Sequence, residues 1–388
     1  MDERRLGVGI LGLGMAGGFM APIVANHSHV SLVGAADLDP VLRERFTRDT
    51  GLPADDSAEA LFKRKDVDVV YIATPHQFHA VQAIDAMEAG KHVVVEKPMA
   101  LSLADCDAMI EAADRTGRVL IVGHTHGFDP APRAIGDIVA SRRYGPLAMI
   151  TMVNFTDFLY RPRRPEELDT SRGGGIFFNQ LPHQVEIARV IAGEPVRSVR
   201  CVSGIMDPSR GTEGHLAALI TFENGAAASI VYSGHDRFDS DEFHFNVGEI
   251  GYPKTASHGA AWRACQKLET VGAETEVRRD RYGYGSGAFR DLKPPPHQPH
   301  FGVLIASCIE ADLRPSADGL TVFGIEGAQE ISLRGRETFA GHVNVWNDCF
   351  DAIRGARPAL HDGQFARTTL LVCQALLESA REGREVFL

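Results

Sequence analysis

The chain has 388 residues, 44% hydrophobic and 23% charged, enough apolar material for two domains with full-sized cores and too much for a disordered chain. Its formal net charge is -11 with the histidines neutral, and its Lys and Arg are scattered, so nucleic acid and a membrane surface are not expected partners and any anionic ligand has to be met by a locally positive site. The six cysteines lie far apart with no C-x-x-C, which predicts reduced thiols in a cytoplasmic protein and no metal site. No signal-peptide h-region and no membrane-length apolar run is present in the sequence.

In chain order, apolar runs at 6–11, 30–36, 67–73, 92–95 and 119–122 predict strands whose continuous hydrophobicity means burial on both faces. Amphipathic stretches at 15–26, 40–50, 78–89 and 103–116 predict helices between them. That alternation implies right-handed βαβ units and a doubly wound parallel sheet, an α/β domain over residues 1–125. Past residue 125 the rhythm changes. Longer strands are expected at 147–154, 196–204, 215–222 and 226–232, with a turn at Glu223-Asn224-Gly225 before the last. This predicts a second, α+β domain over 126–388 with an open, mostly antiparallel sheet. Within it, 251–300 reads as an irregular excursion, and 342–355 and 365–382 read as closing helices.

Directly after the first strand comes Gly12-Leu13-Gly14-Met15-Ala16-Gly17, a G-x-G-x-x-G at a strand-to-helix turn. Its glycines let the backbone approach a pyrophosphate, which the helix N-terminus then holds. Asp37 stands twenty residues past Gly17 at the end of the second strand, where a carboxylate accepts from ribose hydroxyls and repels a 2′-phosphate, so NAD is favoured over NADP. Thr74 and Pro75 follow the third long strand on the same carboxyl edge and shape the cofactor wall; His79, in the next helix, is a further candidate, with a capping role as its alternative.

The stretch Gly90-Lys91-His92-Val93-Val94-Val95-Glu96-Lys97-Pro98 ends an apolar strand in a carboxylate and an ammonium. Charges are expensive inside a core, so the pair belongs where the strand emerges. There Lys97 could hydrogen-bond a reacting hydroxyl and stabilise an alkoxide, with Glu96 balancing its charge and Pro98 ending the strand. A surface ion pair at a strand end satisfies the same spacing.

With the glycine turn, Thr74-Pro75 and this E-K-P, the chain resembles the glucose-fructose oxidoreductase/inositol dehydrogenase/MocA (Gfo/Idh/MocA) family. The resemblance continues at Gly173-Gly174-Gly175-Ile176-Phe177-Phe178-Asn179-Gln180-Leu181-Pro182-His183, which looks like the family's G-G-G-x-x-x-D-x-G-x-H. It implies a Rossmann domain followed by an open-sheet α/β domain, a catalytic role for Lys97, and a homo-oligomer, dimer or tetramer. Asn179 stands where the family has Asp and cannot act as an acid or base near neutral pH; Leu181-Pro182 replaces the family's small residue; His183 is retained. At helical spacing Asn179 and His183 would share a face, and a satisfied core histidine is the competing reading of His183.

Arg161, Arg163 and Arg164 are concentrated in Leu159-Tyr160-Arg161-Pro162-Arg163-Arg164-Pro165-Glu166-Glu167-Leu168-Asp169. They either clamp an anionic substrate or pair with their own loop's acids. With His124-Thr125-His126, Thr212-Glu213-Gly214 and Tyr232-Ser233-Gly234, this loop looks like the phthalate 4,5-cis-dihydrodiol dehydrogenases within the family. The resemblance implies oxidation of a cyclic cis-diol: His183 takes the hydroxyl proton, Lys97 stabilises the alkoxide, Asn179 orients, and the arginines and His126 meet the substrate. A sugar or inositol-type polyol dehydrogenase and a non-catalytic NAD-binding regulator are the alternatives.

Overall fold

The structure, a computed structural model, describes residues 4–123, 125–255, 258–268, 271–286, 293–333 and 339–388. The chain folds into two compact units, with residues 1–124, 274–293 and 342–370 in the first and 125–273, 294–341 and 371–388 in the second.

In the first unit six strands, β1 (Leu6–Leu11), β2 (Val30–Ala36), β3 (Ala54–Asp55), β4 (Val69–Ile72), β5 (His92–Val95) and β6 (Leu120–Val122), alternate with helices α1 (Met15–Ala25), α2 (Pro40–Thr50), α3 (Ala58–Phe62), α4 (His79–Glu88) and α5 (Leu103–Thr116). All pairings are parallel, in the order β3-β2-β1-β4-β5-β6. Each crossover returns the chain to the same edge, so every strand ends where ligands of such sheets bind. The apolar runs do what their composition requires: Val8, Ile10, Val70, Ile72, Val93, Val94, Val95 and Ile121 are wholly buried. Helix limits are written in their caps. Asp39 accepts from the Val41 amide ahead of Pro40, and Ser102 accepts from the Asp105 amide; Gly51 and Gly117 close the same helices in the left-handed region.

Residues 274–293 and 342–370, grouped with the second domain by their place in the sequence, belong to the first unit. The buried Trp346 donates its indole N–H to Met20 Sδ at 3.1 Å, and Arg367 grips Asp107 at 2.5 and 3.0 Å. Amphipathic periodicity shows that a helix has an apolar face; it does not show which core that face meets.

Among the described residues the second unit is built on nine strands: β7 (Leu147–Phe155), β8 (Val196–Gly204), β9 (His215–Phe222), β10 (Ala227–Ser233), β11 (Val303–Cys308), β12 (Ala311–Pro315), β13 (Gly319–Gly324), β14 (Gly327–Ser332) and β15 (Val386–Phe387). Their order is β14-β13-β12-β11-β7-β10-β9-β8-β15. Among these described strands only β7 and β10 pair in parallel. Helices α6 (Pro130–Ala140), α7 (Gly175–Asn179) and α8 (Leu181–Ala192) complete the core, with Ile135, Val139, Val185, Ala188 and Ile191 buried. The other face of the sheet carries Met149, Val202, Leu219 and Phe323, which are 45, 61, 47 and 42% exposed, among polar residues such as Thr151, Arg200 and Asp312. The stretch 251–300, expected to be irregular, contains helices Ala260–Cys265 and Val271–Tyr282. The second of these is so rich in Glu, Asp and Arg that no apolar stripe announces it. Strands β11 to β14 escaped the sequence reading because short hairpins leave runs of only five or six residues.

Ile10→Ala, at a wholly buried position of the central strand, is expected to cost about 2–5 kcal/mol in the free energy of unfolding measured by denaturant titration.

Candidate active site

The glycine turn begins where β1 leaves the sheet. Gly12 has φ +98°, and a Cβ there would lie 2.8 Å from the Ala73 carbonyl oxygen; a Cβ on Gly17 would lie 1.8 Å from the Gly12 carbonyl oxygen. These two positions admit only glycine. A Cβ on Gly14 would meet nothing within 4 Å, so the space above the N-terminus of α1, beside half-exposed Met15 and Ala16, is open to a phosphate group. Asp37 closes the turn from β2: Oδ2 accepts from the Leu13 amide at 2.6 Å and Oδ1 from the Asp39 amide at 2.7 Å. This cradle fits a dinucleotide.

At the end of β5, Glu96 is half-buried and accepts from the buried Tyr71 hydroxyl, and its other oxygen receives the Lys97 amide at 3.3 Å. Burial and the neighbouring Glu96 carboxylate push the Tyr71 hydroxyl well above its ordinary pKa, so it stays a donor. Lys97 is half-buried and joined to Pro98 by a cis peptide bond. Thr74 donates through Oγ1 to Gln82 Oε1 at 2.5 Å and, with Pro75, sits half-buried after β4. His79 is wholly buried, with Nδ1 2.9 Å from the Pro98 carbonyl oxygen and Nε2 2.9 Å from that of Thr74. As a neutral imidazole it donates to one of these two carbonyls, its ring packed between the Thr74-Pro75 loop and the loop carrying Lys97. Burial keeps its pKa below the ordinary histidine value.

In the second unit His183 and Asn179 do not share one helix. Asn179 ends α7, its side-chain amide donating to the Gly175 carbonyl at 2.9 Å, and the chain breaks at Gln180 before α8 carries His183. Pro182 in the first turn of α8 suits such a start. Both residues are buried, at 6 and 7% exposure. The His183 ring lies 4.8 Å from that of His126, edge to face at 84°, and Phe301 is 4.8 and 4.9 Å from the two.

His126 has an acid at each nitrogen, Asp129 at 2.7 Å and Glu249 at 3.4 Å. Burial would lower its pKa, but the two carboxylates overcome that and hold it near 10. Asp129 is held above its ordinary value because burial outweighs the pull of His126. The pair is ionic near neutrality, since the imidazole is bracketed from both sides. Glu249 titrates below the carboxylate range: His126 and Arg161 outweigh its desolvation, with solvent screening at a side chain that is 42% exposed.

Glu249 also lines a cavity of about 190 Å³ with Asn154, Thr156, Arg161, Asp241 and Lys254; an engineered cavity of about 150 Å³ holds benzene. The three loop arginines part company here. Arg161 lines the cavity and donates to Asp157 at 2.6 Å. Buried Arg163 donates to the Phe158 carbonyl at 2.9 and 3.2 Å and covers the Phe158 ring at 3.9 Å. Arg164 turns to Glu166 and Glu167 at 3.2 and 3.5 Å. Of the pair His124 and His126, His124 lies outside the described residues. Sequence reasoning missed Asp129, Glu249, Asp157 and Phe301. Asp129, three residues past His126, and Asp157, four before Arg161, lie close enough in the chain to carry a local signal; Glu249 and Phe301 do not.

A parallel sheet in this order, with an open glycine turn at its carboxyl edge, defines a dinucleotide-binding fold. Residues 6–124 match the oxidoreductase family with an NAD-binding Rossmann fold, and residues 133–249 match the GFO/IDH/MocA C-terminal domain. The chain belongs to the Gfo/Idh/MocA oxidoreductase family. It is 42% identical over 378 residues, 96% of this chain and 94% of the relative, to the 1-carboxy-3-chloro-3,4-dihydroxycyclohexa-1,5-diene dehydrogenase of Comamonas testosteroni. A crystal structure of a protein from Bordetella bronchiseptica RB50 superposes with a TM-score of 0.94 at 43% identity, covering 99% of this chain and 100% of that one. The scyllo-inositol 2-dehydrogenase (NAD(+)) of Bacillus subtilis (strain 168) is 30% identical over 60% of this chain and 70% of its own length. Among the described residues no helix is long and apolar enough to cross a membrane.

The His126 pKa, raised from 6.5 to about 10, means that its ion pairs contribute fully below about pH 6.5 and fade as pH rises through 10. His126→Gln should therefore lower Tm most below that pH, the gap to wild type shrinking toward pH 10 in thermal melts.

Proposed function

We propose that the protein oxidises a cyclic cis-diol carrying a ring carboxylate, a cis-dihydrodiol, to the corresponding catechol, with NAD as hydride acceptor. The carrying observation is the near full-length similarity to a dehydrogenase named for a carboxylated dihydroxycyclohexadiene. The placement of Arg161 at the cavity wall supports it. A neutral polyol, as in the inositol relative, gives that guanidinium no anion to pair with.

NAD, which the turn from Gly12 to Gly17 and Asp37 would hold, would supply the acceptor for a hydride from the carbinol carbon. His183 takes the hydroxyl proton, and the Lys97 ammonium stabilises the oxygen as negative charge develops. The resulting hydroxy-dienone enolises to the catechol, and the gain of aromaticity draws the oxidation forward. Asn179 has no carboxyl proton to exchange, so proton transfer falls on His183 and Asn179 orients the site. Glu96 balances Lys97, and His79 holds the Thr74-Pro75 and Lys97 loops in register rather than touching the cofactor. Arg161 pairs with the substrate carboxylate; Arg163 and Arg164 shape its loop. The Asp37 carboxylate supports NAD over NADP, since a 2′-phosphate would meet a like charge there. An NAD-linked catabolic oxidation is in keeping with a cytoplasmic location. Exposed Met149, Val202, Leu219 and Phe323 on the outer face of the second sheet support assembly with a second copy of the chain.

Purified protein should form NADH with phthalate 4,5-cis-dihydrodiol or a monocarboxylated analogue; turnover with inositol or sugars alone would replace this reading by the polyol one. Lys97→Met should lower kcat about 10²–10³-fold, and His183→Gln about 10²–10⁴-fold. Arg161→Met should raise KM for a carboxylated diol roughly tenfold and leave an uncharged diol unaffected. Val202→Glu with Leu219→Glu should convert an oligomer into a monomer in sedimentation velocity; a monomeric wild type would refute the assembly.

A further inference from the structure

The end of the helix Val271–Tyr282 and the four residues after it take no part in the chemistry above, yet they pack in the first unit against the glycine turn. The Tyr284 amide donates to the Leu13 carbonyl at 2.9 Å. That carbonyl belongs to the Leu13–Gly14 peptide. In a trans peptide the C=O and N–H point in opposite directions, so holding the Leu13 oxygen aims the Gly14 N–H the other way. The neighbouring peptide is held as well, because the Leu13 amide donates to Asp37 Oδ2 at 2.6 Å. Two successive peptides of the turn are thus oriented by groups outside it.

Three further contacts fix the segment in place. The Tyr284 ring meets the buried Phe46 of α2 edge to face at 5.2 Å, Asp280 pairs with Arg45 at 3.5 Å, and the Tyr284 backbone lies against α1. At this last contact a Cβ on Gly18 would stand 3.1 Å from both N and Cα of Tyr284. A glycine inside a helix costs about 1 kcal/mol against alanine, and nothing in G-x-G-x-x-G asks for one at position 18. The close approach of residue 284 supplies its reason.

We propose that residues 283–286 are an outer support of the dinucleotide site, with Tyr284 a positioning residue whose main-chain N–H sets the Leu13–Gly14 peptide so that the Gly14 amide faces the pyrophosphate, and Gly18 the residue that admits it. The inference rests on the reading of Gly12 to Gly17 as the NAD site. It assigns a role to part of the 251–300 stretch, whose composition suggested none.

The test is NAD affinity, measured calorimetrically on the full-length protein, beside Tm without NAD. Tyr284→Pro removes the donor, Tyr284→Ala removes the ring and keeps the donor, and Gly18→Ala pushes the segment away. Tyr284→Pro and Gly18→Ala should each raise the Kd for NAD about tenfold, Tyr284→Ala less. In the wild type, NAD should slow proteolytic cleavage around residues 282–286, an effect weakened in Gly18→Ala. Lower Tm with an unchanged Kd, or cleavage indifferent to NAD, would reduce the segment to packing and overturn the proposal. A wild type that binds no NAD would instead overturn the reading of the turn itself.

Discussion

A parallel sheet buried on both faces can place a polar side chain only at its strand ends, and this constraint organises the first unit. Every strand from β1 to β6 leaves the core at one edge, so the glycine turn, Asp37, Thr74 and Lys97 all lie at strand ends on that edge. The same constraint explains Glu96 and Lys97 at the end of Val93-Val94-Val95. Glu96 is anchored from the strand beside it by Tyr71, whose hydroxyl burial keeps protonated. His79 is buried between this loop and that of Thr74, with a main-chain carbonyl facing each ring nitrogen and the single N–H of the neutral ring bonding one of them.

The second unit solves a different problem, how to hold a run of charges beside the cavity that Glu249 and Arg161 line. Its answer is alternation: Asp129, His126, Glu249, Arg161 and Asp157 form a series in which each group faces the opposite sign. Removing one member would leave another charge without compensation, which is costly at low solvent exposure. His183 sits at one end of this series, ring against ring with His126.

How far the chain could be read in advance differs between particular residues. Leu6–Leu11, Val30–Ala36 and His92–Val95 match their strands end to end, because continuous β-branched and aliphatic runs bounded by glycine or charge have one low-energy outcome. The helix Leu103–Thr116 is equally legible from Ser102 and Gly117. The three arginines of residues 161–164 are not: identical in type and adjacent in sequence, they go respectively to a cavity wall, an aromatic ring and two neighbouring glutamates. Asn179 and His183, four apart, fall on two helices because the chain bends at Gln180, a choice no periodicity records.

From the residues alone followed the α/β class, five of the six described strands of the first sheet, the dinucleotide turn, and the E-K-P strand end, since all are consequences of local patterning and of glycine or proline chemistry within a few bonds; the two-residue β3 and the five-residue α3 are too short to show a period. Only the tertiary structure decided that residues 274–293 and 342–370 belong with the first sheet, that His126 is bracketed by Asp129 and Glu249, and that Gly18 faces Tyr284. Those contacts join residues as far as 350 positions apart, as in Arg354 and Arg4, and which distant faces meet depends on the packing of whole cores rather than on any pattern within one segment.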